Sequence, residues 1–340
     1  MELMRKLTFP FAVIYGIVTA IRNYFFDKGI LKSTSFDIPV IAVGNLSVGG
    51  TGKSPQIEYL IRLLSPKYNV ATLSRGYKRS TKGFVLADEN ASAETLGDEP
   101  FQFYSKFPNI GVAVDADRTN GIKNLLQQTP KPEVILLDDA FQHRKVKAGF
   151  YILLTAYNDL YADDFILPAG NLRESRSGAH RANIVVVTKC PRELSDADQS
   201  HVRLKLKLEK HQQLYFSFID YDENVYADGQ SLPVESVKNE PKIVLAGIAK
   251  PKPFFEYLHH ESDMILEFPD HHSFTDTEIS GVKAKAKDKK IITTEKDYVR
   301  LKTHSLDNLF YLPIKSSFLA DSENFDKTIL DYVGKSTANS

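Results

Sequence analysis

The sequence predicts an α/β fold: a P-loop NTPase-like α/β domain on a mostly parallel sheet, plus a second, smaller α/β unit. Three observations carry this. An apolar run, Ile38 to Val43, leads into Gly44-Asn45-Leu46-Ser47-Val48-Gly49-Gly50-Thr51-Gly52-Lys53-Ser54, and an amphipathic helical pattern follows from Pro55 to Leu64. Short apolar strands then alternate with helical segments, an order that calls for parallel pairing and ligands at the carboxyl edge of the sheet. The 340 residues are long for one domain, and the pattern changes near Tyr215 to Gln230 before the alternation resumes. The expected division is an N-terminal membrane-associating helix over 1–28, a P-loop domain over 29–215, and a connector with the smaller domain over 216–340.

Composition is ordinary for a globular chain, 42% apolar and 25% charged, with no low-complexity tract. Basic and acidic residues balance at 43 each, whereas a non-specific polyanion binder is usually basic. Nucleic acid is therefore not an expected partner, and no obligate protein partner is inferred. The single cysteine, Cys190, excludes an internal disulfide and any CxxC metal site, which suits a reducing compartment.

The N-terminus opens with Arg5 and Lys6, after which Leu7 to Ile21 carries no charge. As a helix that run spans only about 22 Å, short of the ~30 Å hydrocarbon core of a bilayer. Three readings compete. A cleaved signal peptide fits the charge pattern, but Val18-Thr19-Ala20 is a poor cleavage site and export would remove the P-loop from cytoplasmic nucleotide. A buried core helix is the second. The favoured expectation is a helix lying in the membrane interface, with Arg5, Lys6 and Arg22 at its ends.

In the glycine-rich stretch, backbone N–H groups face phosphate oxygens and the following helix N-terminus adds partial positive charge. Gly49, Gly50, Thr51, Gly52, Lys53 and Ser54 are thus the expected nucleotide-binding residues. Lys53 reaches the β/γ-phosphates and the Ser54 hydroxyl ligates Mg²⁺. Ser47 stands where the strict pattern has Gly. Asn69 to Leu73 reads as a strand ending in Ser74-Arg75-Gly76-Tyr77-Lys78-Arg79, which suits either an anionic ligand or a solvated basic turn. Gly97-Asp98-Glu99-Pro100 opens a helix, and without the P-loop these acids read as ordinary caps. Strand Ile110 to Val114 precedes Asp115-Ala116-Asp117-Arg118. Strand Val134 to Leu137 ends in Asp138-Asp139, and a carboxylate there holds Mg²⁺ directly or through water.

Phe141-Gln142-His143-Arg144 continue past the same edge, followed by strand Tyr151 to Leu154, the loop Leu167 to Glu174, and strand Ile184 to Val187. Thr188-Lys189-Cys190-Pro191 is like the start of a guanine-reading loop without its aspartate, so GTP specificity has no support. Protein-kinase HRD and DFG signatures are absent. Leu214 to Ile219 and Asn224 to Ala227 form a hairpin-like connector. Then come strand Lys242 to Ala246, helix Pro253 to His260, the loop Phe268 to Phe274, and Ile291-Ile292-Thr293-Thr294-Glu295-Lys296-Asp297. His259, His260, His271 and His272 match no zinc spacing, so an acid–base or surface role is expected of them.

Taken together, these stretches resemble the tetraacyldisaccharide 4'-kinase (lipid A 4'-kinase) family. The likeness rests on Val43 to Pro55, Leu73-Ser74-Arg75-Gly76-Tyr77, Gly97 to Pro100, Leu137-Asp138-Asp139-Ala140-Phe141-Gln142-His143, Leu167-Pro168-Ala169-Gly170-Asn171-Leu172-Arg173-Glu174 and Thr293 to Asp297. That family shares a hydroxyl residue at position 47. Ser54 replaces a usual Thr, and Ala140 a common Gly, a change that could shift the turn after the acids. The resemblance implies two α/β/α domains joined by a β-ribbon, and transfer of the ATP γ-phosphoryl to the 4'-hydroxyl of a tetraacyl glucosamine disaccharide 1-phosphate, making lipid IVA. It also implies a peripheral enzyme on the cytoplasmic face of the bacterial inner membrane. By position, Lys53, Ser54 and Thr51 hold triphosphate and Mg²⁺, with Asp138, Asp139 and Glu174 around the metal. Arg173 neutralises the transferring phosphoryl. Asp98 is the general base, helped by His271, and Arg75, Arg118 and His143 meet the 1-phosphate and sugar. The alternative is a membrane-tethered nucleotide switch with slow hydrolysis, which needs neither the base nor a sugar site.

Overall fold

The structure, a computed structural model, describes residues 8–227, 229–270 and 272–337. Helix α1, Phe9–Asp27, comes first. The first unit runs β1 (Val40–Asn45), α2 (Lys53–Leu64), β2 (Val70–Ser74), β3 (Val85–Leu86), α3 (Ala93–Leu96), α4 (Asp98–Lys106), β4 (Gly111–Val114), α5 (Arg118–Leu125), β5 (Val134–Asp138), β6 (Phe150–Ala156), β7 (Ile184–Thr188), α6 (Asp196–Leu206) and β8 (Gln213–Tyr221). The second holds β9 (Asn224–Ala227), β10 (Gln230–Pro233), α7 (Val234–Lys238), β11 (Ile243–Ala246), α8 (Lys252–Leu258), β12 (Met264–Glu267), α9 (Asp276–Ala286), β13 (Ile291–Thr294), α10 (Glu295–Leu301) and β14 (Leu309–Leu312). Strand β15 (Ile314–Phe318) and helix α11 (Ser322–Thr337) follow.

The first sheet has the order β15-β8-β7-β6-β1-β5-β2-β4-β3. From β8 to β4 every pairing is parallel, and the edge strands β3 and β15 are antiparallel. All of β1 is buried, which explains why Ile38 to Val43 reads as a continuous apolar run instead of an alternation. β1 lies between β5 and β6, where the connections diverge to either side; ligands in such sheets bind beyond the carboxyl ends at this point. Both the P-loop and Asp138 leave the sheet there. The second sheet, β10-β9-β14-β13-β11-β12, is parallel from β14 to β12.

β8 carries the chain out of the first sheet and β15 returns antiparallel to it, with Tyr221 opposite Ile314. This pair is the ribbon between the units. The expected boundary left all of 216–340 in the second unit, but 314–337 come back to the first. The cause is an apolar stripe on α11: Phe325, Ile329 and Val333 recur every four residues and enter the same core as Ile57, Leu60 and Phe150.

α1 is not a core helix. Ala12 is its one buried residue, while Phe11, Ile14, Ile17 and Val18 stay exposed. Among the described residues it is the one helix long and apolar enough to cross a membrane, with mean hydropathy 1.3. Its polar side is tied to the first unit. The Tyr15 hydroxyl donates to the Arg173 carbonyl (3.0 Å), Arg22 to the Gln142 carbonyl (3.2 Å), and Asn23 to the Glu174 carboxylate (2.7 Å). Arg5 and Lys6 lie outside the described residues.

Candidate active site

Helix α2 begins at Lys53 from Gly52, whose φ of +83° is the left-handed conformation that glycine adopts without strain. No side chain caps this helix start; Pro55 has no N–H and Gln56 N bonds Gly52 O, which leaves the N–H groups of Lys53 and Ser54 open to an anion. The loop before it is braced by backbone contacts. Val48 N donates to Asn171 O (2.8 Å), the Thr188 hydroxyl to Thr51 O (2.8 Å), and Lys189 Nζ to Gly50 O (2.5 Å). The segment that lacks a guanine-reading acid thus buttresses the P-loop. Ser47, the departure from the strict pattern, forms an antiparallel bridge with Leu172, which ties the loop to the Arg173 segment.

Three carboxylates and three cations surround the helix start. Lys53 Nζ stands 3.5 Å from Asn45 Oδ1 and 3.7 Å from Asp139 Oδ1. Arg173 grips both Asp139 oxygens (3.1 and 2.7 Å) and also donates to Asn45 Oδ1. Burial alone would raise the Asp139 carboxyl, but Arg173, Lys53 and Arg118 hold it below the usual carboxylate range. Asp139 itself takes the positive φ of this turn, +47°; Ala140 does not, so alanine fits where glycine is common. Ser54 Oγ donates to Glu99 Oε1 (2.9 Å), and Lys296 Nζ contacts the same oxygen (2.8 Å).

Asp138 differs from its neighbours. Its Oδ2 accepts from the Ser74 hydroxyl (3.2 Å), but its Oδ1 is buried with no partner. Burial, then the charges of Glu99 and Asp139, push this carboxyl up to about 7 against the pull of Lys53 and Arg118. Thr51 Oγ1 and Asn45 Nδ2 are likewise buried without partners. Buried polar atoms are normally satisfied, so this concentration of orphans marks a place built around something else. Hydroxyl and carboxylate oxygens from Ser54, Thr51 and Asp138 suit a hard divalent cation that keeps water and phosphate ligands; among the described residues no group of three or more His, Cys, Asp or Glu could hold a metal alone.

The other expected residues fall in different roles. Glu174 is buried, and both its oxygens accept from nitrogen donors: Oε1 from Gln142 (2.9 Å) and Arg181 (2.8 Å), Oε2 from Asn23 (2.7 Å). It pins α1 to the loops at the sheet edge. Arg118 is buried behind the acids and donates to the carbonyls of Asp115 and Asp138, both at 3.2 Å. His143 has a buried Nε2 without a partner, and burial with the Arg118 charge pushes its pKa down to about 4. Arg75 is exposed at the carboxyl end of β2. Asp98, the first residue of α4, accepts from Arg300 Nε and Nη2. His271 lies outside the described residues; its neighbour His272 stacks on Phe268 and contacts Glu278 (3.0 Å).

Asn45, Glu99, Lys296 and Arg300 escaped sequence reasoning as site residues. Asn45 lies inside the glycine-rich stretch, where attention went to the lysine. Glu99 had the signal of a cap and nothing more. The pairing of Glu99 with Lys296 spans 197 residues and that of Asp98 with Arg300 spans 202, separations over which spacing carries no information.

The Tetraacyldisaccharide-1-P 4'-kinase family model matches residues 4–334. The chain is 68% identical to a tetraacyldisaccharide 4'-kinase of Flavobacterium johnsoniae over 334 residues, 98% of either chain. It is 44% identical to one of Bacteroides thetaiotaomicron, covering 99% of this chain and 95% of the relative. Its fold is similar to the crystal structure of "apo" form LpxK from Aquifex aeolicus in complex with ATP, with a TM-score of 0.80 and 30% identity over 97% of this chain and 99% of that one. Matches of this length and identity mean that the chain belongs to the Tetraacyldisaccharide-1-P 4'-kinase family.

Proposed function

We propose that this chain transfers the γ-phosphoryl of ATP to the 4'-hydroxyl of a tetraacyl glucosamine disaccharide 1-phosphate, forming lipid IVA at the cytoplasmic face of the inner membrane. One observation carries the reading. The uncapped start of α2, Lys53, Arg173 and the orphaned Asp138 oxygen converge at the switch point of the sheet. Phosphoryl transfer needs positioning and charge stabilisation above all. Lys53 and Arg173 share Asp139 and would exchange it for the transferring phosphoryl. Ser54 and Asp138 would hold Mg²⁺, which neutralises charge on the β/γ-oxygens. Glu174, whose Oε2 accepts from Asn23 alone, keeps acceptor capacity toward the metal while its bonds to Asn23, Gln142 and Arg181 position α1.

Asp98 is the general base in this reading, orienting the 4'-hydroxyl and accepting its proton late in transfer, with His271 assisting from the second unit. The neutral His143 ring and Arg75 would meet sugar and 1-phosphate, while Arg118 holds the strand ends that carry Asp115 and Asp138. α1 would lie in the membrane interface. Its bonds to Gln142, Arg173 and Glu174 keep the membrane surface in register with the site, which suits an acceptor whose acyl chains stay in the bilayer. The test is ATP labelled at the γ-phosphate, with and without the lipid acceptor. Label moving into lipid supports transfer; free phosphate alone returns the chain to the nucleotide-switch reading. Lys53→Ala should lower kcat by about 10²-fold or more.

A further inference from the structure

Three ion pairs join α4 of the first unit to α10 of the second, and two of them touch the reacting groups. α10 is firmly seated in its own unit. The Thr294 hydroxyl donates to Asp297 Oδ2 (2.7 Å), which also accepts from Gly247 N (2.8 Å). From this base Glu295 pairs with Lys106 (3.0 Å), Lys296 with Glu99 (2.8 Å), and Arg300 with Asp98. Lys296 and Arg300 are four apart, one turn along the same helix face, and their partners are consecutive at the start of α4. Glu99 Oε1 is at the same time the acceptor of the Ser54 hydroxyl, at 2.9 Å.

We propose that Lys296 and Arg300 are positioning residues: acting through Glu99 and Asp98, they set the P-loop hydroxyl and the general base, so the site is complete only when α10 is seated on α4. The proposal rests on the assignment of Ser54 to Mg²⁺ and of Asp98 to the acceptor. A serine hydroxyl has one hydrogen and two lone pairs. With that hydrogen committed to Glu99, the lone pairs turn away from Glu99 and are presented to a cation. Glu99 can do this only while its carboxylate is held in place, which the Lys296 contact on the same oxygen provides. Arg300 places two N–H groups of its planar fork on Asp98 Oδ2 and so fixes the direction of that carboxylate. The second unit thereby contributes to catalysis without touching nucleotide or acceptor through these two side chains.

The experiment uses the full-length protein and a fluorescent ATP analogue, titrated with and without Mg²⁺, alongside steady-state kinetics. Lys296→Met should leave Mg²⁺-free analogue binding within about twofold of the parent and weaken the Mg²⁺-dependent gain by about tenfold, the effect seen when an outer partner of a metal ligand is lost. Lys296→Arg should recover most of it. Arg300→Met should lower kcat by about tenfold, as loss of a charge-assisted hydrogen bond does, with the Mg²⁺ titration unmoved. Glu295→Gln, at the same interface but paired with Lys106 and not with Glu99 or Asp98, should change neither. Equal losses in all three positions, or a Lys296→Met loss that is the same without Mg²⁺, would show that α10 only docks the units. If Lys296→Met fails to fold, Lys296→Gln decides the same point by the same titration. Ser54→Ala with an unaltered Mg²⁺ response would instead overturn the underlying assignment of the P-loop hydroxyl.

Discussion

Gly44→Ala tests whether the site depends on close packing between β1 and the segment that follows Asp139. A Cβ at position 44 would stand 2.7 Å from Phe141 Cβ and 2.9 Å from Phe141 N. Carbon pairs settle near 3.5–4.0 Å, so the two segments must part by about 1 Å. Phe141 has nowhere to retreat. It is 1% exposed, packs edge-on to Tyr151, and carries the Arg181 guanidinium 4.6 Å above its ring. The backbone of 139–141 must yield instead, taking with it Asp139, the shared partner of Lys53 and Arg173. Overpacking of this kind costs about 1–3 kcal/mol, more than the roughly 0.4–1 kcal/mol that Gly→Ala gains by restricting the unfolded chain. A displacement near 1 Å at the reacting groups costs about 10²-fold in rate. Melting followed by circular dichroism should therefore fall by several degrees, with a large drop in kcat. Gly281→Ala is the control: nothing lies within 4 Å of its added methyl and it sits inside helix α9, so it should be neutral or stabilising. A Gly44→Ala protein that melts and turns over like the parent would refute the packing argument.

Glu174→Ala should destabilise the protein by about 3–5 kcal/mol in denaturant unfolding, because it leaves Arg181 buried without its charge partner. Removing residues 1–21 should preserve nucleotide-analogue binding and weaken co-sedimentation with phospholipid vesicles, since α1 contributes a single buried residue to the fold; loss of folding would count against the exposed-helix description. His143 gives a pH signature. Its folded pKa of about 4 lies below the 6.5 of an unconstrained histidine, so between these values the unfolded chain binds more protons. Stability from this group is present above pH 6.5 and is lost as pH falls toward 4. His143→Gln should remove that slope from the unfolding free energy, and a slope identical to the parent's would assign it to other groups.

The first unit was legible because its signals are local. A run of apolar residues buried on both faces, a glycine-rich turn and a lysine–hydroxyl pair are consecutive, and each constrains backbone geometry directly. Asp138 could be placed at a strand end by the same reasoning. The return of 314–337 to the first sheet was not legible, although the Phe325, Ile329 and Val333 stripe is a clear helical pattern. Periodicity states that a face is buried, not which surface covers it. Glu174 shows a second limit. An acid near a phosphate site suggests a metal, and position alone could not show that Asn23, Gln142 and Arg181, from three other parts of the chain, fill three of its roughly four acceptor sites. The hydrogen-bond capacity left on a carboxylate is a property of the fold.

The pairing pattern also says where the binding free energy must come from. Lys53 and Arg173 rest on Asp139, Lys296 and the Ser54 hydroxyl on Glu99, and Arg300 on Asp98. Each of these charged groups already has a partner, as burial demands, so ligand contacts at these positions replace interactions and do not add to them. Their net worth is a difference between two paired states, which favours selectivity for charge that develops in the transition state over tight ground-state binding. Asp138 is the exception. It is the deepest carboxylate of the group, one of its oxygens has no partner, and Glu99 and Asp139 oppose its ionisation. On the proposed assignment a cation arriving beside it displaces no hydrogen-bond partner of Oδ1, only the proton that burial favours, and relieves that repulsion, so loading the site is expected to gain most at Asp138.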